Sequence, residues 1–359
     1  MVTSNAHGTA AAHTPSAAPA PQSDGAAAPH AQLIEMAIAI WRSRALYAGA
    51  ALGLADLLAE GPRDIEDLAA ATKTHAPSLY RLLRALAAYG LFQEIRPRTF
   101  GATPLGMAMR TGASGAARST ILTLAGDWQW KAWDHFLDSL RTGEPGLKVA
   151  TGKSLFDFLA ASPADGARFD ETMVGMHGAL GSALLEAYDF SVFHTIADIG
   201  GGTGWLLETL LLANRKQSGV LFEQPATAAL ARARFQKLGL AGRCQVTEGD
   251  FFESVPCDHQ AYVLSHVLHD WDDGQCVSIL RNCRKAIAPN GRLLIIEAVL
   301  PLGDVPHHGK MMDLLMLTVT GGKERTAAEF SDLLVNAKFK ISRIVETSTH
   351  QSIVEAIPA

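Results

Sequence analysis

The second half of the chain alternates short apolar runs with helical stretches, and this alternation constrains the fold more than any other feature. Five such runs begin near Thr195, namely TIADIG, GVLFEQ, QVTEGD, AYVLSHVL and RLLIIEAVL. Parallel strands that are buried on both faces have near-continuous apolar sequences of this kind, and the helices between them form the crossovers. The last two runs, KISRIVE and QSIVEAIPA, are too close together for a crossover helix and predict an antiparallel pair at the end of the sheet. We therefore predict an α/β fold with a doubly wound, mostly parallel sheet.

The first half carries almost only helical patterns, from residue 31 to about residue 178. Its first helices are apolar on all sides, which indicates that they are buried against a second copy of the chain. Two short amphipathic helices and a hairpin-like FGATPLG segment follow, in the order of a winged helix. We predict three parts: a disordered tail over residues 1–30, a helical winged-helix domain over 31–178, and a sheet domain over 179–359.

Composition and charge exclude several classes of function. The formal net charge is −5, and the winged-helix segment with Tyr80, Arg81 and Arg84 offers few basic residues, so a packing role is favoured over binding of nucleic acid. The four cysteines form no Cys-x-x-Cys pair, which indicates neither a zinc site nor a disulfide framework. No apolar run approaches the roughly 18 residues that cross a membrane. A cytoplasmic protein with no membrane or nucleic-acid partner is expected.

The strand TIADIG leads into a glycine-rich turn and a helix, an arrangement that lets the backbone approach a ligand closely. The dinucleotide fingerprint Gly-x-Gly-x-x-Gly is not met, because Gly200 and Gly202 are followed by Gly204, with Trp205 where the third glycine should stand. Asp198 precedes the turn and places a carboxylate near the ligand, where it repels a pyrophosphate but suits an ammonium group. The alternative is that Asp198 only caps the turn.

Acidic residues also end the next two strands. Glu223 is placed to bind both hydroxyls of a ribose, which NAD and S-adenosylmethionine would both require. Asp250 is placed to accept a hydrogen bond from an adenine amino group, with Phe251 packed on the ring. The alternative is an ordinary acidic turn.

A fourth strand breaks into His269, Asp270, Trp271, Asp272 and Asp273 at its carboxyl end. The ligand crevice of an open α/β sheet lies just beyond such strand ends, so His269 stands where a reaction could occur. The carboxylates could bind a divalent metal, but they also precede a helix whose N-terminus favours negative charge. Thr326 and Glu329 match a capping box and are read as structural, which leaves Glu324 free for chemistry.

Taken together, DIGGGTG, GDFF, LHDWDD and GGKERT resemble the class I S-adenosylmethionine-dependent O-methyltransferases of the plant caffeate and bacterial natural-product type. The resemblance runs from about residue 31 to the C-terminus and implies an intertwined homodimer formed through the winged-helix domain. It implies S-adenosyl-L-methionine as cofactor, S-adenosyl-L-homocysteine as product, and no metal. The implied cofactor residues, together with those of the glycine turn, are Asp198, Gly200, Gly202, Glu223, Gln224, Asp250, Phe251 and Ser265. Ser265 stands where the plant pattern has a lysine.

The resemblance further implies that His269 is a general base framed by Glu297 and Glu324. An ordinary histidine pKa of about 6.5 would leave the imidazole neutral at cytosolic pH, and Glu297, at the end of its strand, is expected to fix the tautomer. The residues expected to contact a small aromatic or enolic hydroxyl acceptor are Asp270, Met173, Met176, Trp133 and Met316, although the apolar ones could equally belong to the core. A relative that catalyses another reaction, a transcription regulator and an NAD-linked dehydrogenase remain as alternatives.

Overall fold

The structure is a computed structural model that describes residues 28–178 and 180–359. Most of the expected disordered tail, residues 1–27, lies outside the described residues, and the first helix begins at Pro29. The chain divides at residue 42 into two compact units, of which the first is described from residue 28. Helix α1 (Pro29–Ala51) begins in the first unit. The part of it in that unit exposes large apolar side chains, which are Leu33, Ile34, Met36, Ile40 and Trp41.

The second unit begins with a helical layer that contains a small sheet. Its helices are α2 Leu54–Leu57, α3 Ile65–Thr72, α4 Ala76–Ala88, α5 Pro104–Met107, α6 Ala117–Leu124, α7 Asp127–Asp134, α8 Phe136–Thr142, α9 Gly146–Thr151, α10 Leu155–Ala161, α11 Pro163–Met176 and α12 Leu180–Ala187. Its strands are β1 Arg63–Asp64, β2 Phe92–Arg96 and β3 Thr99–Ala102.

The predicted winged helix is present in this layer. Helices α3 and α4 pack against the antiparallel sheet, whose strand order is β1-β3-β2. Asp64 caps α3 by accepting a hydrogen bond from the backbone N–H of Glu66. Leu83 of α4 and Phe92 and Phe100 of the sheet form a buried apolar core. The wing thus adds a small sheet to an otherwise helical layer.

The remainder of the second unit is the predicted α/β sheet with its covering helices. Its strands are β4 Thr195–Ile199, β5 Ser218–Glu223, β6 Cys244–Glu248, β7 Ala261–Ser265, β8 Arg292–Glu297, β11 Phe339–Glu346 and β12 Ser352–Pro358. Two short strands, β9 Val299–Leu300 and β10 Arg325–Thr326, pair separately in parallel. The helices are α13 Trp205–Ala213, α14 Pro225–Lys237, α15 Asp273–Ala286, α16 Gly309–Val319 and α17 Ala327–Asn336, with single 3-10 turns at Phe190–Val192 and Leu268–Asp270.

The sheet has the strand order β11-β12-β8-β7-β4-β5-β6. Strands β4 to β8 are mutually parallel, whereas β12 is antiparallel to both β8 and β11. This confirms the mostly parallel sheet and its antiparallel C-terminal pair. Two apolar clusters on the sheet contain the fully buried Tyr262, Ile295 and Val354 in one and Leu207, Ile196 and Val263 in the other. Among the described residues, no helix combines the length and apolar character that crossing a membrane requires.

Candidate active site

The sheet has one switch point, which lies between β4 and its neighbour β7. The chain proceeds outward on one side through β5 and β6 and on the other through β7 and β8. Crossovers that leave in opposite directions open a crevice beyond the carboxyl ends of the two central strands, and ligands of such sheets bind there. The glycine turn follows β4 and the segment with His269 follows β7, so both predicted motifs border this crevice.

The glycine turn is tight because its backbone enters the left-handed region. Gly200, Gly202 and Gly204 have φ values of 68°, 57° and 86°. A Cβ on Gly204 would lie 2.4 Å from the ring of Phe235, so α13 packs closely on α14 only because this residue is glycine. A Cβ on Gly200 would come within 3.4 Å of Phe251, whereas one on Gly202 would meet no atom within 4 Å. The turn is therefore packed on one side and open at Gly202.

Asp198 lies beneath this turn and is almost completely buried. Its carboxylate is next to Gly201, where an added Cβ would be 2.6 Å away. Neither oxygen accepts a well-formed hydrogen bond from the described residues. Burial, and then the charge of Glu223, raise the pKa of Asp198 to about 7 against the opposing effect of the Leu207 backbone N–H. A buried carboxylate without a partner is costly, which indicates that a ligand supplies the missing donor.

Glu223 ends β5 on the other side of the turn. Its Oε2 accepts a hydrogen bond from the backbone N–H of Gly202 at 3.0 Å, and its Oε1 accepts one from Gln224 at 2.7 Å. Gln224 therefore contributes its backbone here. Burial raises the pKa of Glu223, and the nearby Asp170 raises it further, whereas the two N–H donors lower it. Each oxygen keeps a second lone pair that can accept a ribose hydroxyl.

The GDFF segment meets the glycine turn through Phe251. Asp250 is exposed, and its carboxylate accepts a hydrogen bond from the backbone N–H of Phe252 at 2.8 Å. Asn282, which the sequence did not single out, donates to the carbonyl oxygens of both phenylalanines at 2.9 Å. Asp250 thus stabilises its own turn while its other oxygen remains available.

His269 is buried beyond β7, and its contact is with Glu324. Its Nδ1 lies 2.9 Å from Oε1 of Glu324, and its Nε2 lies 3.9 Å from Oδ1 of Asp270. Gly322 makes this approach possible, because a Cβ there would lie 2.0 Å from the carbonyl oxygen of His269. Glu324 thus occupies Nδ1 and leaves Nε2 of His269 without a contact to it.

The structure gives Glu297 a different position from the one we predicted. Its Oε1 accepts hydrogen bonds from the backbone N–H groups of Val267, Leu268 and His269 at 3.2, 2.7 and 3.2 Å. Glu297 therefore holds the backbone of the turn rather than the imidazole, because the end of β8 lies beneath the 3-10 turn. Its Oε2 has no partner among the described residues.

The protonation of this cluster also differs from the expectation of an ordinary histidine. Burial lowers the pKa of His269, but the charges of Asp270, Glu324 and Glu297 outweigh burial and raise it to about 10. Burial likewise raises the pKa of Asp270 to about 6 and that of Glu297 to about 7. The sequence could not indicate this, because the three carboxyl groups converge only in the folded chain.

Arg325 is a buried cation beside this cluster, and its role was not predicted from the sequence. It is fully buried and donates to the carbonyl oxygens of Leu268 and Trp271, both at 2.9 Å, and to Asp273 at 2.9 Å. These carbonyls flank His269, and Arg325 directly follows Glu324 in the chain. Its place in GGKERT was the one available indication of a role.

The remaining acids of LHDWDD have structural partners. Asp272 caps α15 in a reciprocal capping box with Gln275, and Asp273 pairs with Arg325 and Lys323. The predicted capping box between Thr326 and Glu329 is also present. No cluster of three or more His, Cys, Asp or Glu side chains suited to a metal occurs within residues 28–178 and 180–359.

The predicted acceptor residues lie on three helices. Trp133 on α7 is half-buried against Phe136, with ring centroids 5.0 Å apart, and α7 packs against α16. Met316 on α16 is buried, and Asp313, one turn earlier, accepts a hydrogen bond from the backbone N–H of Glu324 at 2.9 Å. Met173 is half-buried on α11, whereas Met176 is more exposed. Helix α16 is thereby joined to the His269 cluster.

The residues at the crevice fit S-adenosylmethionine. An ammonium group can meet the unpartnered carboxylate of Asp198, and ribose hydroxyls can meet Glu223. Phe251 lies beside Gly200, and the turn is open at Gly202, where an added Cβ would meet no atom within 4 Å. A crevice of this kind at the switch point of a mostly parallel sheet is the arrangement of a Rossmann-like methyltransferase, and the buried cluster of His269 lies beside it.

Comparison with known proteins gives the family. Residues 133–340 match the O-methyltransferase domain, and residues 34–111 match the O-methyltransferase dimerisation domain. The chain belongs to the O-methyltransferase family, as its motifs predicted, and is an S-adenosylmethionine-dependent enzyme. It also carries the family's dimerisation domain, in agreement with the predicted homodimer.

Three relatives illustrate the range of the family. The phenazine O-methyltransferase PhzM of Lysobacter antibioticus is 42% identical, over 91% of this chain and 95% of its own. The 8-amino-8-demethylriboflavin N,N-dimethyltransferase of Streptomyces davaonensis is 38% identical, over 86% of this chain and 90% of its own. NcsB1, an O-methyltransferase from neocarzinostatin biosynthesis, has been solved in complex with S-adenosylmethionine and 2-hydroxy-5-methyl naphthoic acid. Its sequence is 36% identical, the TM-score is 0.77, and the match covers 89% of this chain and 96% of the NcsB1 chain.

Proposed function

We propose that the enzyme methylates a hydroxyl of a small aromatic acceptor by in-line displacement, with His269 as the acid–base residue. The observation that carries this proposal is the buried imidazole that contacts Glu324 through Nδ1 and leaves Nε2 toward the acceptor side. We further propose that residues 31–178 form the dimerisation domain and residues 179–359 the catalytic domain.

An aromatic acceptor is supported by the relatives and by the site. PhzM is named for a phenazine and NcsB1 is bound to a naphthoic acid, both of them flat ring systems. Met316 is buried one turn from Asp313, which contacts the segment with Glu324. Methionine and tryptophan adapt well to flat apolar rings, so Met173, Met176, Met316 and Trp133 are proposed acceptor contacts.

S-adenosylmethionine supplies an activated methyl group when it is bound, so little remains for the protein beyond alignment and proton transfer. Alignment can lower the activation free energy by roughly 7 to 11 kcal/mol, and an acid–base residue can raise the rate by roughly 10² to 10⁴-fold. We propose that Asp198, Gly200, Gly202, Glu223, Gln224, Asp250, Phe251 and Ser265 hold the cofactor. The acceptor oxygen loses one proton, which His269 holds on Nε2.

The raised pKa of His269 determines how this proton is held. A phenol has a pKa of about 10, so the imidazolium–phenolate pair and the imidazole–phenol pair are close in free energy. They contain the same number of protons, and the first presents the acceptor as a phenolate. Glu324 stabilises the imidazolium through Nδ1, and Asp270 lies on the Nε2 side, where it can orient the acceptor hydroxyl.

Product mass tests this proposal. The enzyme is incubated with S-adenosylmethionine and a panel of hydroxylated phenazines, naphthoic acids and matched aromatic amines, and is compared with His269→Ala. We expect a gain of one methyl group on a hydroxyl, lost or strongly reduced in the variant. Methylation confined to the amines, or equal rates for both proteins, would refute the proposal. Because the proposed mechanism uses no metal, we expect activity to survive excess EDTA.

A further inference from the structure

A pair of half-buried histidines, His177 and His266, lies at the switch point of the sheet. His177, at the C-terminal end of α11, places its Nε2 3.2 Å from Nδ1 of His266. His177 also stacks on Trp205, with ring centroids 4.1 Å apart and planes 13° apart. Trp205 follows the glycine turn after β4, and His266 follows β7, so His177 contacts the residues that border both sides of the crevice.

Helix α11 continues along the crevice from His177. Asp170 lies two helical turns before His177, on the same face, and its charge acts on Glu223 at the end of β5. The helix therefore runs from the proposed ribose site to the glycine turn. On this face the helix places Asp170 near Glu223 and His177 against Trp205.

Two features indicate that the histidine pair binds a ligand. The Nδ1 of His177 is buried and has no partner among the described residues. His266 has a φ of 54°, a conformation that a non-glycine residue rarely adopts and that concentrates at functional sites. Burial lowers the pKa of His177 to about 4, so the imidazole is neutral at physiological pH. Its free nitrogen is then a fixed hydrogen-bonding atom whose role is set by the tautomer.

We propose that Nδ1 of His177 binds the α-amino-acid end of the methyl donor, and that His266 fixes the orientation of His177. The proposal rests on the proposed function, since it concerns the same donor. That end of the donor carries both an ammonium and a carboxylate, and therefore offers a partner to either tautomer. Asp198, the second unpartnered group at the turn, can take the ammonium.

The test compares two ligands that differ in this end alone. S-adenosylhomocysteine contains the α-amino-acid group, whereas 5′-methylthioadenosine lacks it. His177→Phe preserves an aromatic ring against Trp205 but removes Nδ1. Titration calorimetry should show S-adenosylhomocysteine binding about 10- to 100-fold more weakly in the variant, with the affinity for 5′-methylthioadenosine unchanged.

A matched control is His194→Phe, which changes an exposed histidine and should alter neither affinity. If His177→Phe lost affinity equally for both ligands, or lost affinity for neither, the assignment would be overturned. If His177→Phe does not fold, ¹⁵N NMR of the wild-type imidazole replaces it. S-adenosylhomocysteine should then shift the His177 Nδ1 resonance and 5′-methylthioadenosine should not, and equal shifts would contradict the proposal. Binding of S-adenosylhomocysteine by the wild-type enzyme is measured in the same experiment, so a failure of the proposed function is recognised separately.

Discussion

The Nδ1 atom of His269 lies 2.9 Å from Oε1 of Glu324, although 55 residues separate the two in the sequence. Glu297, which ends the strand beside β7, instead holds the backbone N–H of His269. The two glutamates thus have separable tasks, because one touches the ring and the other touches the turn that carries it. This separation gives the first prediction.

Glu324→Gln should lower kcat more than Glu297→Gln. The amide at position 324 can still accept a hydrogen bond from Nδ1, but it no longer stabilises an imidazolium by its charge. Removing an outer partner of this kind lowers activity by about 10- to 100-fold. His269→Ala should lower kcat by about 10² to 10⁴-fold. The affinity for S-adenosylhomocysteine should stay constant in all three variants when it is measured by calorimetry. A larger effect at Glu297 would mean that the turn, and not the ring contact, limits the reaction.

The pH dependence follows from the raised pKa of His269. A histidine of ordinary pKa would give a kcat/KM plateau above about pH 6.5 with a phenolic acceptor. With the pKa raised, the free enzyme and the free phenol must together lose one proton before reaction, so log kcat/KM should rise with a slope near one between about pH 7 and 9. His269→Ala should rise in parallel at a lower rate. A wild-type plateau in this range would show that the pKa is not raised.

Asp198→Asn should stabilise the unliganded protein at the cost of cofactor binding. Asp198 has a pKa raised to about 7, so the folded state binds more protons than the unfolded state between about pH 4 and 7. Its contribution to stability therefore falls as the pH rises through this window and remains unfavourable above it. Urea unfolding at pH 8 should show a gain of about 2 to 4 kcal/mol for the variant, and near pH 4 the gain should vanish. Unchanged stability at pH 8 would indicate that the carboxylate already has a partner.

Arg325→Lys should disturb the reaction through the turn that carries His269. Lysine keeps the charge but cannot reproduce the fork that spans the carbonyls of Leu268 and Trp271. We expect a loss of about 2 to 4 kcal/mol in the free energy of unfolding and a lower kcat, with the KM for S-adenosylmethionine unchanged. Lys323→Met, which removes a partly exposed partner of Asp273 and Glu329, is the control and should change little. Equal effects of the two substitutions would argue against a role in positioning.

The exposed apolar residues of α1 should be needed for dimer formation. Ile34 and Trp41 are 58% and 69% exposed, and this segment lies in the matched dimerisation domain. Ile34→Glu combined with Trp41→Glu should shift the protein toward monomer in light scattering at micromolar concentration. Leu302→Glu, which changes an even more exposed apolar residue elsewhere, should remain dimeric. A double variant that stays dimeric would place the interface on other residues.

The sequence by itself determined the elements and their order. The apolar runs became the central strands, the closely spaced final runs became β11 and β12, and Thr326 with Glu329 formed the predicted capping box. These features depend on residues close together in the chain, whose periodicity, turns and caps are set by local geometry. The motifs also placed His269 and the glycine turn at strand ends, and hence at one edge of the sheet.

The tertiary structure alone decided how these side chains meet. Whether Glu297 or Glu324 reaches the imidazole depends on how a strand end and a loop from distant parts of the chain pack against one 3-10 turn. The pKa of His269 depends on three carboxyl groups that converge through the same packing. Arg325 and His177 likewise find their partners across the fold. Contacts of this kind have no period in the sequence, because they arise from the burial of whole elements against one another.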